Sequence, residues 1–130
     1  MIKKCSYDFL PAIAGPYVHA TKHNQTLYIS GLTAFGTGAQ CEGVTEQAME
    51  ILSQISQVLD DEDCSRSDLI KLTIFVTDIT LLSLIREQLF EFYQGHLPAC
   101  SLVEVSALIH PDLKIEIEAI AALSNKYGNI

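Results

Sequence analysis

The stretch HLPACSLVEVSALIHPDLKIEIEAIA, residues 96–121, holds side chains able to move protons or attack carbon. It carries Glu104, Glu116 and Glu118, the imidazoles of His96 and His110, and the thiol of Cys100. A carboxylate within reach of a substrate works as a general acid or base, and a thiol works as a nucleophile when a base activates it. Leu113, Ile115, Ile117 and Ala119 alternate with Lys114, Glu116 and Glu118, so these glutamates share one face of a strand. Two readings stay open: ion pairing with Lys114 on a solvated face, or convergence on a site. Periodicity does not say which glutamate, if any, is catalytic.

Other clusters are weaker. Cys100 follows His96 by four residues, but a catalytic dyad is set by folded geometry, and a small apolar thiol is the plainer reading. His19 and His23 have the i, i+4 spacing that chelates zinc on a helix, yet they flank a turn signal between two strand-like runs. Four strand residues span about 13 Å, so surface histidines are expected there and no metal. The G-T-G at 36–38 is read as a loop rather than a phosphate cradle.

The elements that must position these groups follow from patterning. YVHATKHNQTLYISG reads as a hairpin about His23-Asn24-Gln25. Val44, Ala48, Ile51, Leu52, Ile55, Val58 and Leu59 give the rhythm of an amphipathic helix, and the acids of DDEDCSRSD beyond it are expected in solvent. In DLIKLTIFVTD, Ile70, Leu72, Ile74 and Val76 alternate with Lys71, Thr73, Phe75 and Thr77 as a strand. A second helix carries Leu81, Ile85, Leu89 and Phe92 on one stripe and closes at Gly95 and Pro98. Two final strands are expected to pair through IHPDL. The order ββ-α-β-α-ββ, with one apolar stripe per helix, predicts an α+β fold: one sheet with two helices packed on one face, in a single domain over 1–130.

Composition narrows the function classes. The chain has a net charge of −8, from 16 acidic and 8 basic residues, and no Lys/Arg cluster, so no nucleic acid partner is expected. A cationic or neutral small molecule is electrostatically easier. The most apolar long window is interrupted by Lys71 and Asp78, so no membrane span is expected. Cys5, Cys41, Cys64 and Cys100 show no C-x-x-C spacing, and no export signal is read, which points to reduced thiols in a cytoplasmic protein. With 48% hydrophobic residues in so short a chain, surplus apolar surface suggests subunit contacts.

AIAGPY (12–17), LYISG (27–31), IKLTIFVTDI (70–79), LPACSLVEVSAL (97–108) and KIEIEAIA (114–121), in this order and spacing, resemble the YjgF/RidA family. Its characterised members hydrolyse reactive enamines and imines. The resemblance implies a chorismate-mutase-like fold and a homotrimer, its sheets packed inward in a barrel-like assembly. Ligand clefts for a small molecule would open at the subunit interfaces, with no cofactor and no metal. It implies that Glu116 positions the hydrolytic water and that Tyr17, Ser30, Cys100 and Leu102 line the cleft. Active imine deaminases of the family read P-A-R-S where this chain reads Pro98-Ala99-Cys100-Ser101. A thiol cannot make the arginine's two-pronged clamp on a substrate carboxylate, so 2-imino acid turnover is expected to be poor. His110 lies in a turn one residue longer than usual, at the expected rim. A non-catalytic, metabolite-binding or regulatory trimer is the alternative; the endoribonuclease label carried by some relatives fits an acidic chain poorly.

Overall fold

The computed structural model describes residues 1–123. Its elements run β1 (Lys3–Cys5), β2 (Ala20–His23), β3 (Thr26–Leu32), α1 (Val44–Asp61), β4 (Leu69–Val76), α2 (Leu82–Tyr93), β5 (Ala99–Glu104) and β6 (Ile115–Ala122). The strands form one sheet in the order β1-β2-β3-β6-β4-β5, and the fold is α+β. β1, which patterning did not announce, extends the sheet as an edge strand beside β2.

The hairpin holds. β2 and β3 pair antiparallel with His23 opposite Thr26, and Asn24 and Gln25 both take positive φ, 48° and 62°. A two-residue turn of that hand matches the twist of the strands it joins. α1 buries the whole expected stripe together with Gln47 and Gln54, and α2 buries Ile85, Leu89, Phe92 and Tyr93. Both helices close over Leu27, Leu72, Ile74, Ile115 and Ile117. Each of these side chains is fully buried and contributes about 1.5–3 kcal/mol relative to exposure. The opposite face carries Tyr28, Phe75, Val103 and the β6 glutamates.

Four expectations are corrected. β5 and β6 do not pair through IHPDL: β5 lies parallel to β4, and β6 runs between β3 and β4, antiparallel to both. The connection over 105–114 is long enough to step across one strand, and β6, buried on its helix side along its length, takes the centre of the sheet. Ile70 leaves the core face, because a register shift between Leu69 and Lys71 puts Leu69 inside and leaves Ile70 exposed. Lys114 reaches the carbonyls of Glu42 and Asp112 rather than a glutamate carboxylate. Glu62 does not lie free in solvent beyond α1. It pairs with Lys22 at 2.6 Å and accepts from the Tyr7 hydroxyl at 2.7 Å, which offsets an acid at a helix C-terminus.

Among the described residues no helix is long and apolar enough to cross a membrane.

Candidate functional site

β6 alternates strictly, so burial of Ile115, Ile117 and Ala119 under the helices sends Glu116 and Glu118 to the uncovered face. What meets them there depends on β3. Ile29 pairs with Ala119 but Leu32 pairs with Ile117, so three steps on β3 oppose two on β6. The resulting bulge lies at Ser30 and Gly31, beside the glutamates. Gly31 has no side chain where the Glu116 carboxylate comes in; a Cβ there would overlap Oε2 and crowd the carboxylate carbon. Only glycine admits that approach.

Ser30 is committed. Its amide donates to the His19 carbonyl at 3.0 Å and its hydroxyl to the Val18 carbonyl at 2.6 Å. It therefore ties residues 18 and 19 to β3 and can offer a ligand only its two acceptor lone pairs. Tyr17 sits in a tight turn, its amide donating to the Gly15 carbonyl at 2.9 Å. Its ring is half-exposed and packs over Gly15. A cavity of about 420 Å³ is lined by Tyr17, Ser30, Gly31, Thr33, Ile109, Glu116 and Glu118. Behind Tyr17 it meets a narrow recess that reaches Phe35, His19 and Gln54.

His19 builds the wall of that recess. It is buried rather than at the surface as the spacing suggested: Nδ1 accepts from the Tyr7 amide at 2.9 Å, and Nε2 faces the Pro11 carbonyl at 2.9 Å. An Nδ1 that accepts leaves the proton on Nε2, which donates to Pro11. The imidazole thus pins residues 7 and 11 to the sheet. His23 is exposed, and among the described residues no group of three or more His, Cys, Asp or Glu is placed to hold a metal.

The Glu116 carboxyl has no hydrogen-bonding or ion-pairing partner among the described residues. Burial pushes its pKa up, and the neighbouring Glu118 adds to the rise. A half-buried carboxylate held above its ordinary range and left without a donor is poised to exchange protons with a ligand or water.

Cys100 and Leu102 do not join this group within the chain. In the parallel β4–β5 ladder Cys100 is level with Leu72 and Leu102 with Ile74, both core residues, so the two side chains point to the helix-covered face. Leu102 packs on the core. The Cys100 thiol is pushed up by burial and lowered by Lys71, and it is the polar neighbour of the buried Tyr93 hydroxyl. Glu116 pairs with Phe75, three residues further along β4 and on its other side. That separates the two positions by about 10 Å along the strands and two strand spacings across. The expectation that Cys100 and Leu102 sit beside Glu116 fails within one protomer, because β4 intervenes.

Sequence reasoning missed Gly31, Glu118, Thr33 and Ile109 as lining residues. A glycine inside a strand pattern is the usual sign of close backbone approach, and Glu118 shares a face with Glu116 by simple alternation. Ile109 had no such signal, since the turn bearing it is placed by α1.

A family model described as endoribonuclease L-PSP matches residues 10–123. The chain belongs to the YjgF/RidA family. This RidA-family chain is 33% identical over 126 residues to a 2-iminobutanoate/2-iminopropanoate deaminase of Salmonella typhimurium, covering 93% of this chain and 98% of that one. A mouse protein of the same description is 32% identical over 114 residues, 85% of this chain and 84% of its own. Among solved structures, the Rid-family protein YyfA of Yersinia pestis superposes with a TM-score of 0.85 at 29% identity, covering 95% of this chain and all of that one.

The Gly31 approach yields a direct prediction. If Glu116 is the acid/base of a reaction, Gly31→Ala should drop catalytic efficiency on the order of 10²-fold, because the carboxylate must move by an ångström or more. The melting temperature should fall only modestly, since the displaced group borders an open cleft. Steady-state kinetics beside a thermal melt checks this, and unchanged kinetics would show that Glu116 need not sit over Gly31.

Proposed function

We propose that this protein hydrolyses a C=N bond, of the enamine or imine type, with Glu116 as the acid/base. The half-buried, unpartnered Glu116 carboxylate over Gly31 carries this reading. The family relationship to proteins described as imine deaminases supports it. Ionised Glu116 takes a proton from water as the oxygen bonds to the imine carbon and the C=N electrons pass to nitrogen. It then returns the proton to nitrogen to give a carbinolamine. Glu116 next takes the carbinol hydroxyl proton and passes it to nitrogen as the C–N bond breaks, so that a carbonyl compound and ammonia leave. Tyr17, which lines the same cavity, is proposed to orient the attacked group through its hydroxyl.

The cleft is proposed to be completed between subunits of a cytoplasmic homotrimer. Apolar Tyr28, Phe75 and Val103 on the uncovered sheet face support burial against other copies. Light scattering should give about three times the 14.3 kDa chain mass. A stable monomer at micromolar concentration would remove the interface cleft. RNA should bind weakly and stay intact, since the net charge is −8.

The test of activity is ammonia release from imines generated in place by an amino acid oxidase. Wild type should turn over 2-imino acids poorly, because the family resemblance implies an arginine at the position of Cys100. On the edge strand β5, position 100 reaches a Glu116 cleft only across a subunit boundary. Cys100→Arg should therefore raise 2-imino acid turnover in the assembled protein, and no gain would show that position 100 faces no such cleft.

A further inference from the structure

We infer that the Glu116 cleft selects cationic ligands that lack a carboxylate, namely protonated imines or amines bearing an apolar or aromatic group. This rests on the hydrolytic reading of the same site and specifies what it takes. The lining holds two carboxylates, Glu116 and Glu118, and among the described residues neither is ion-paired. No lysine or arginine lines the cavity or its recess. A ligand carboxylate entering here would meet like charge with no cationic side chain of this lining to grip it, whereas an iminium brings the missing counter-charge.

The rim adds the second half of the specificity. Tyr17, Phe35 and Ile109 stand 48%, 37% and 66% exposed around one mouth, although each is a large apolar side chain. The Phe35 ring is held against His110 at a centroid separation of 5.6 Å, so it is supported rather than loose. Tyr17 is held by the Gly15 turn. Tyr17 lines the same cavity as the two carboxylates and Phe35 lines the adjoining recess. Aromatic rings and carboxylates along one path favour an organic cation, through ring quadrupole and charge together. A protonated imine also has an electrophilic carbon, so the group that binds best is the one that water attacks.

Matched probes test this without relying on turnover. Benzylamine, benzyl alcohol and benzoate share one ring and differ in charge. Calorimetric titration of the full chain should show benzylamine binding about tenfold tighter than benzoate at low salt, with the gap narrowing as salt rises. Glu118→Gln lies at an exposed position and should fold normally; it should cut that preference several-fold. Tyr17→Leu should weaken benzylamine while leaving the melting temperature intact. Benzoate binding as tightly as benzylamine, no binding of benzylamine at millimolar concentration, or affinity untouched by both substitutions would each overturn the inference. The two readings fail separately. Turnover of imines without benzylamine binding removes the selectivity and keeps the hydrolase; benzylamine binding without turnover of any imine does the reverse.

Discussion

Replacing Glu116 by glutamine is expected to lower turnover by about 10²–10⁴-fold, the contribution of a positioned acid/base. The same substitution should leave the protein at least as stable as wild type at pH 7. The sign follows from the raised carboxyl pKa, set by burial first and by Glu118 second. A carboxyl whose folded-state pKa exceeds its unfolded value favours folding below the unfolded value. That contribution is lost as pH rises through the folded one. At neutral pH the native state therefore holds an ionised Glu116 at some cost, and glutamine removes it. The difference in melting temperature between variant and wild type should shrink as pH falls below the ordinary carboxylate range. Wild-type activity should rise with pH on its acidic limb through a pKa above the usual one, since the base must be ionised. A variant that loses both activity and stability at pH 7 would mark Glu116 as structural.

Gln47 should give the largest stability effect. Its side chain is fully buried, with Nε2 donating to the carbonyls of Gln40, Glu42 and Asp112 at 2.9, 3.2 and 2.8 Å. Its Oε1 accepts from the Lys114 amide at 2.9 Å. One amide thus fastens the loop before α1 and the turn before β6 to the helix between them. Gln47→Ala leaves buried carbonyls and an amide unpaired around a cavity, and should cost about 3–5 kcal/mol. For a domain of this length that is a fall of about 10–18 °C in melting temperature. Gln47→Glu keeps the shape but loses the donor, and ionised it would face three carbonyl oxygens. It should be as damaging as alanine and recover partly at acid pH. The turn carries Ile109, so the milder Gln47→Met should loosen the cleft rim and raise KM more than it lowers kcat. Melts and kinetics on the three variants check this, and a fall under about 1 kcal/mol would mean that water replaces the amide.

Local patterning determined much of this protein. The α1 stripe from Val44 to Leu59 and the alternation of β6 are properties of nearest neighbours along the chain, and both stand as read. The turn at Asn24-Gln25 and the family motifs were equally legible. Only the tertiary structure decided which strands meet. IHPDL looks like a hairpin turn because turn chemistry is local, yet β6 pairs with β3 and β4, where its apolar side is buried along its length. That choice sets β4 between Cys100 and Glu116, and it brings Gly31 under the Glu116 carboxylate through a bulge whose partner strand the local pattern does not name. It also buries His19 and Gln47, whose partners lie 12 and up to 67 residues away in the chain. Spacing assigns a residue to a face; long-range pairing decides what that face meets, because the free energy of burial depends on all the elements that close over it.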